Sequence, residues 1–188
     1  RLVLAGLAIH TAGLLMRWVA VGHGPYVSRY EVLSANAWVV LVLYLWWSRR
    51  SEVLKPFSVA VFPAVMLLVG LGVYMGPEVH QLPPTFSGIW LALHVAFYFV
   101  AFSVGLLAAV VSLVIVADKG LGRIRARFPS ATVLDRAVFR FAGLAFAFWG
   151  IGMLTGSVWA YYSWGRFWGW DPVETWSLVT WVTYGVYL

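Results

Sequence analysis

Long apolar runs alternate with short polar segments along the 188-residue chain, and this pattern predicts membrane-spanning helices. A spanning helix needs about 20 mostly apolar residues, and six runs approach that length. They cover residues 2–16, 32–48, 56–74, 87–117, 141–159 and 175–188. We therefore expect an all-α fold, a polytopic membrane helix bundle of about six transmembrane helices. Because no internal repeat or linker is evident, the pattern predicts a single membrane domain over residues 1–188.

The first and last runs predict that the chain is a fragment of a longer protein. The first run begins at Arg1, without an initiator methionine. The last run has fourteen residues, 175–188, and at about 1.5 Å per residue it is too short to cross about 30 Å of hydrocarbon. We expect truncation at both ends.

Composition excludes a soluble domain, because 62% of the residues are hydrophobic and only 11% are charged. The net charge of +6 raises the possibility of a nucleic-acid partner, but the positions of the cations argue for a lipid bilayer instead. Three cations lie in alternate connections, at Arg17, Arg29 and Arg166. Nine lie in or beside the other two: Arg49, Arg50, Lys55, Lys119, Arg123, Arg125, Arg127, Arg136 and Arg140. This asymmetry places segments 17–31, 75–86 and 161–174 on the outer side of the membrane.

One outer segment is unusually rich in tryptophan. The stretch WGRFWGWDPVETW, residues 164–176, contains Trp164, Trp168, Trp170 and Trp176. An interfacial belt of aromatic anchors is the simpler explanation for single tryptophans such as Trp18, Trp38 and Trp181. That explanation does not account for so many in one connection, which favours a binding surface for a large, flat, apolar ring system.

The acids in this stretch match a helix start. Asp171 fits the N-cap, Pro172 the first helical position and Glu174 the third position of a capping box. We expect this cap to hold the tryptophan-rich connection rigidly. The chain contains no cysteine, so it has neither a thiolate metal site nor a cysteine nucleophile.

His94 is the histidine that the pattern connects with this aromatic surface. It lies near the outer end of the fourth run, with Trp90 and Tyr98 on the same helical face. A histidine hydrogen-bonded to a neighbouring helix is the structural alternative. A neutral imidazole beside an aromatic surface suits the iron of a porphyrin.

Three elements of the sequence resemble the cytochrome c assembly proteins of the CcsA/ResC type, which handle haem. They are the WWD-domain motif WGxxWxWDPxETW within residues 159–176, the upstream GHGPYVSRYE and the intervening IWLALHV. The resemblance implies that haem b is moved across the membrane and displayed on its outer face for attachment to apocytochrome c. It assigns haem contact to Trp164, Gly165, Trp168, Trp170, Asp171, Pro172, Glu174, Thr175 and Trp176.

The resemblance also makes His94 the outer axial ligand of the haem iron, and the outer charge of Arg166 makes it a candidate for the propionates. The family has further histidines downstream of the WWD motif, and the chain stops at Leu188 before them. The second axial ligand is therefore expected to be absent, with His23 and His80 as poor substitutes. We expect no synthase activity from this segment alone.

The resemblance implies two partners and a location. The partners are a ResB/CcsB-type membrane protein and an apocytochrome c with a Cys-x-x-Cys-His motif, which would supply the thiols that this chain lacks. The location is the bacterial plasma membrane or the thylakoid membrane. Two other classes remain open, a transporter without haem, in which His10 and His94 line a polar path, and a structural subunit packed through a seam at Gly152 and Gly156.

Overall fold

The computed structural model describes residues 1–79, 82–117, 120 and 126–188, and the regular structure within these residues is helical. The long helices are α1 (Leu2–Val21), α2 (Arg29–Ser48), α3 (Ser58–Tyr74), α4 (Ile89–Val116), α5 (Ala131–Trp164) and α6 (Pro172–Tyr187). A short 3-10 helix, Glu52–Phe57, precedes α3. The predicted all-α fold is confirmed.

Five helical segments of the described chain are long and apolar enough to cross a membrane. They are Leu2–Val21, Arg29–Ser48, Glu52–Tyr74, Ile89–Val116 and Ala131–Trp164. The sixth helix, α6, has 16 residues. The chain is therefore a multi-pass membrane protein, as the pattern of apolar runs predicts.

Helix α5 is longer than the apolar run that predicts it. Its 34 residues correspond to about 51 Å, which exceeds the hydrocarbon thickness of about 30 Å. The helix therefore includes polar residues before the apolar run, among them Arg136 and Arg140, and the aromatic residues after it up to Trp164. The non-helical part of the predicted 159–176 loop is correspondingly short, residues 165–171.

The chain forms two compact units, Arg1–Pro83 and Pro84–Leu188. In the first unit, Ser28 caps α2 and Glu31 completes a capping box. Arg17 of α1 donates to Glu31 Oε1 at 2.9 Å and to the carbonyls of Pro77 and Glu78 at 2.7 and 2.9 Å. This one guanidinium thus connects α1, the start of α2 and the segment after α3.

Polar contacts also join α1 to α2. His10 Nε2 lies 2.9 Å from Ser34 Oγ, and Trp38 Nε1 donates to Thr11 Oγ1 at 2.8 Å. Trp38 therefore contacts another helix through its polar atom, which differs from the interfacial anchor that the sequence favours. Its position in the middle of α2 is the reason, because it faces α1 rather than the headgroups.

In the second unit, α4 packs along α5 at the small residues that the sequence indicates. A Cβ at Gly152 would overlap the ring of Tyr98, and one at Gly156 would overlap the imidazole of His94. Trp181 of α6 stacks on Phe146 of α5, with centroids 4.6 Å apart, and donates to its carbonyl oxygen at 3.1 Å. The predicted glycine seam thus admits two large α4 side chains, and Trp181 is a packing residue.

Candidate functional site

A cavity of about 820 Å³ lies in the second unit, between α4, α5, α6 and the 165–171 connection. Its volume is within the range of about 300–1,000 Å³ typical of small-molecule sites. Most of its surface is apolar. The lining residues are Phe86, His94, Tyr98, Trp149, Met153, Gly156, Ser157, Trp159, Ala160, Trp164, Phe167, Trp168, Asp171, Pro172, Val173, Glu174, Trp176, Ser177 and Thr180.

His94 is oriented by a backbone carbonyl of the neighbouring helix. Its Nδ1 lies 2.9 Å from the carbonyl oxygen of Gly152. A carbonyl can only accept, so Nδ1 carries the hydrogen and Nε2 keeps its lone pair. Histidines that bind metals commonly have their other ring nitrogen fixed in this way. The imidazole therefore presents a ligand nitrogen of defined tautomer.

Aromatic rings enclose this imidazole. Tyr98 packs edge-on at a centroid distance of 4.7 Å, and Trp159 stacks at 6.1 Å with an interplanar angle of 20°. Trp159 is held in turn by the bond from its Nε1 to the carbonyl oxygen of Thr85 at 2.9 Å. Trp90, which the helical spacing places near His94, lines a second, smaller cavity of about 360 Å³ instead.

Three polar side chains that line the cavity are hydrogen-bonded to one another. Tyr98 Oη is hydrogen-bonded to Ser177 Oγ. Trp149 Nε1 donates to Ser177 Oγ at 2.9 Å and to its carbonyl oxygen at 3.1 Å. Sequence reasoning missed Trp149 and Ser177. The α6 positions 173, 176, 177 and 180 share one helical face, and this spacing was the signal available.

The capping box at the start of α6 is confirmed. Asp171 Oδ1 accepts from the Glu174 backbone N–H at 2.8 Å, and Glu174 Oε2 accepts from Asp171 N–H at 3.4 Å and from Gly169 N–H at 2.6 Å. Pro172 occupies the first turn. The two acids therefore fix the backbone of the connection against the helix.

The backbone of the connection turns sharply at both ends. Gly165 ends α5 in the left-handed conformation, with φ 74°, which glycine adopts without steric cost because it has no Cβ. Trp170 also has a positive φ, 57°, which is costly for a residue with a large side chain. Its ring packs edge-on against Trp168 at 5.8 Å. Such strain is often found at binding sites.

The structure brings most of the predicted haem-contact residues together around His94. Trp164, Trp168, Asp171, Pro172, Glu174 and Trp176 line the same cavity. Four other predicted residues lie in or beside the 165–171 connection but do not line the cavity: Gly165, Arg166, Trp170 and Thr175.

The other residues considered from the sequence occupy different places. Arg17 is engaged with Glu31 and two carbonyls, so its guanidinium is already paired. His23 is buried in the first unit, where its Nδ1 contacts the carbonyl oxygen of Gly24 at 2.8 Å. His80 lies outside the described residues.

Comparison with known proteins assigns the chain to a family. The family model described as cytochrome C assembly protein matches residues 1–188. The chain belongs to this family. A CcsA cytochrome c biogenesis protein from Chlamydomonas reinhardtii is 32% identical over 185 residues, covering 93% of this chain and 52% of the relative. The match to the CcsA protein of Chlorella vulgaris is 29% identical and covers 98% of this chain and 70% of the relative.

A CcsA protein of Synechococcus is also similar, at 28% identity over 98% of this chain and 72% of the relative. The chain thus spans about half the length of the Chlamydomonas protein and more of the others. The CcsA-type resemblance predicted from the WWD motif is confirmed. Among the described residues of this family member, the cavity beside His94 is where that motif and the preceding histidine meet.

Proposed function

We propose that this protein acts in cytochrome c biogenesis by binding haem in the cavity and presenting it for covalent attachment to apocytochrome c. The observation that carries the proposal is the position of His94. Its tautomer is fixed by Gly152, and it lies in a large apolar cavity lined by the tryptophans of the WWD motif. An imidazole nitrogen can bind haem iron, and aromatic surface can pack on the porphyrin ring.

The ligand set of the cavity suits a porphyrin better than a bare metal ion. Within the described residues, no group of three or more His, Asp or Glu side chains is placed to hold a metal ion. Haem iron needs only axial ligands from the protein, because the porphyrin supplies four nitrogens. His94 would provide one of them.

The residues of this chain position haem and leave the bond-forming groups to others. Haem supplies two vinyl groups, and the thiols of a Cys-x-x-Cys-His motif in apocytochrome c add across them to form thioethers. The chain has no cysteine to compete for those vinyls. Holding the haem ring in a fixed position and orientation lowers the entropic cost of bringing the thiols to its vinyl groups. A CcsB-type membrane protein is the partner that we infer for this assembly.

We place the cavity toward the outer face of the membrane. The basic residues of the segments around Arg49 and Arg136 favour the inner side for those segments, so that the 165–171 connection lies on the opposite side. Related proteins in algae and a cyanobacterium are consistent with a plasma or thylakoid membrane location.

Titration of the detergent-purified protein with haem b tests this function. We expect saturable binding with a shifted Soret band, and Trp164→Ala should weaken it about tenfold because an aromatic wall of the cavity is lost. Trp18→Ala is the matched control, since Trp18 is similarly exposed but lies on α1. A protein that binds no haem would favour a transporter or structural subunit, and equal effects of both variants would favour membrane anchoring.

A further inference from the structure

The Gly152 carbonyl that orients His94 has a second side-chain donor, the hydroxyl of Thr155. Thr155 Oγ1 lies 3.1 Å from the Gly152 carbonyl oxygen and 2.9 Å from the carbonyl oxygen of Ile151. The side chain is buried within the second unit. One hydroxyl hydrogen is therefore shared between two carbonyls, and one of these carbonyls is the acceptor of the His94 imidazole.

The donors around the Gly152 carbonyl compete for one oxygen. A carbonyl oxygen has two lone pairs. The regular bonding pattern of an α-helix already directs the Gly156 N–H to this oxygen, so that Thr155 and His94 are additional donors. Each donor withdraws electron density from the oxygen and weakens the bonds that the others make. The Thr155 hydroxyl therefore weakens the hydrogen bond from His94 Nδ1.

The hydrogen bond at Nδ1 influences how strongly Nε2 can bind a metal. Donation from one ring nitrogen raises the basicity of the other, and changes in such partners commonly alter metal affinity by about 10–100-fold. Competition from Thr155 lowers the basicity of Nε2. The effect is partial, because the Ile151 carbonyl takes part of the same hydroxyl hydrogen.

We propose that Thr155 is a positioning residue that limits the strength of the bond between His94 and haem iron. The inference rests on the proposed haem function. A protein that presents haem also has to release it, so an axial ligand of moderate strength favours transfer to apocytochrome c. Thr155 acts through the Gly152 carbonyl and not by contact with haem, since it does not line the cavity.

A purely structural role for the hydroxyl is the alternative. Threonine in a helix often donates to a carbonyl of the preceding turn. Thr183 of α6 makes such a bond, from its Oγ1 to the Val179 carbonyl oxygen at 2.8 Å, and it does not line the cavity either. Thr183→Val is therefore the matched control, because it removes the same kind of bond from an acceptor that His94 does not share.

Nitrogen NMR of the haem-free protein, isotopically labelled at its histidines, tests the shared acceptor. Thr155→Val keeps a branched side chain and removes the hydroxyl. We expect it to leave Nδ1 of His94 protonated and to shift its resonance in the direction of a stronger hydrogen bond. Thr155→Ser, which retains a hydroxyl, and Thr183→Val should leave the resonance at its wild-type position. An unshifted resonance in Thr155→Val would overturn the inference.

The iron–histidine stretching band in the Raman spectrum of the ferrous haem complex tests the consequence for the metal. Thr155→Val should raise the frequency of this band and slow haem dissociation about threefold or more, and Thr155→Ser should restore both values. Thr155→Ala removes the same hydroxyl with a smaller side chain and should shift the band in the same direction.

The outcomes separate this role from the haem function itself. A band at the wild-type frequency or below it in both Thr155→Val and Thr155→Ala would overturn the role of Thr155 while the haem function stands. Equal shifts in Thr183→Val would also overturn it, because the effect would then not depend on the shared acceptor. A wild-type protein that binds no haem would overturn both proposals.

Discussion

At the scale of the residue, the site depends on how closely α5 lets His94 approach. The imidazole occupies the space that a Cβ at Gly156 would need, and its Nδ1 reaches the Gly152 carbonyl at 2.9 Å. Gly152 and Gly156, one turn apart, therefore allow α4 to pack closely on α5. They also set the position and tautomer of the His94 imidazole.

Gly156→Ala is expected to displace the imidazole and to lower haem affinity by about tenfold or more, because a shift of about 1 Å is sufficient to spoil a positioned site. Gly143→Ala is the control on the same helix. Its Cβ would meet only Leu188, at an ordinary 3.8 Å, and replacing a helical glycine should stabilise the helix by up to about 1 kcal/mol. Haem titration and thermal unfolding of both variants check this, and equal haem binding by Gly156→Ala and wild type would contradict it.

The sequence predicted several residues that line the cavity but few of their contacts. The WWD motif and His94 could be found from the sequence because few other functions need such a group of tryptophans and a histidine in a membrane protein. The partner of His94 could not, since Gly152 acts through its backbone carbonyl. Trp159 rather than Trp90 stacks on the imidazole, because the contact is made by a second helix and helical spacing reports only neighbours on the same one.

At the scale of the element, side-chain hydrogen bonds fix the starts of two helices. Both α2 and α6 begin with a capping box. The box at α6 follows from the order Asp-Pro-Val-Glu and was predicted. The box at α2 has the equally plain pattern Ser-x-x-Glu but was not predicted. Its Glu31 also accepts a hydrogen bond from Arg17. The helix lengths were the least accurate prediction. Apolar composition indicates which residues lie in the hydrocarbon layer of the membrane, but it does not show how far a helix continues beyond that layer.

Glu31→Ala is expected to destabilise the first unit by about 3 kcal/mol. It removes the acceptor of the Val27 and Ser28 N–H groups and leaves Arg17 partly buried without its acid. The side chains of Arg17 and Glu31 are only 16% and 2% exposed. Glu52→Ala is the matched control, since the ion pair of Glu52 with Lys55 is exposed. It should change the free energy of unfolding by less than about 0.5 kcal/mol. Thermal unfolding followed by tryptophan fluorescence measures both, and similar small losses would contradict the role of the buried pair.

At the scale of the whole molecule, the apolar pattern predicted a multi-pass helical protein, and this is confirmed. The pattern succeeds because a spanning segment must satisfy its backbone internally and present apolar side chains to lipid. The division into two compact units was not predicted. Both units are built from apolar helices, and tertiary contacts separate Arg1–Pro83 from Pro84–Leu188.

The orientation in the membrane can be measured directly, because these 188 residues contain no cysteine. We expect Phe167→Cys to react with a membrane-impermeant maleimide in intact cells and Glu52→Cys to react only after lysis. Both positions are exposed, at 55% for Phe167 and 86% for the Glu52 side chain. The distribution of basic residues is the physical reason. Labelling in the reverse order would place the 165–171 connection on the inner side.

The most direct measurement of the central claim is the Soret spectrum of His94→Gly with and without imidazole, recorded on the purified full-length protein. If His94 is an axial ligand, the variant should lose most of its bound haem, and added imidazole should restore part of it by entering the vacated space beside Trp159 and Tyr98. The unfolding midpoint, recorded on the same samples, separates this from a loss of folding. A haem spectrum unchanged by the substitution, or a loss that imidazole does not reverse in a folded protein, would contradict the assignment of His94 to the iron.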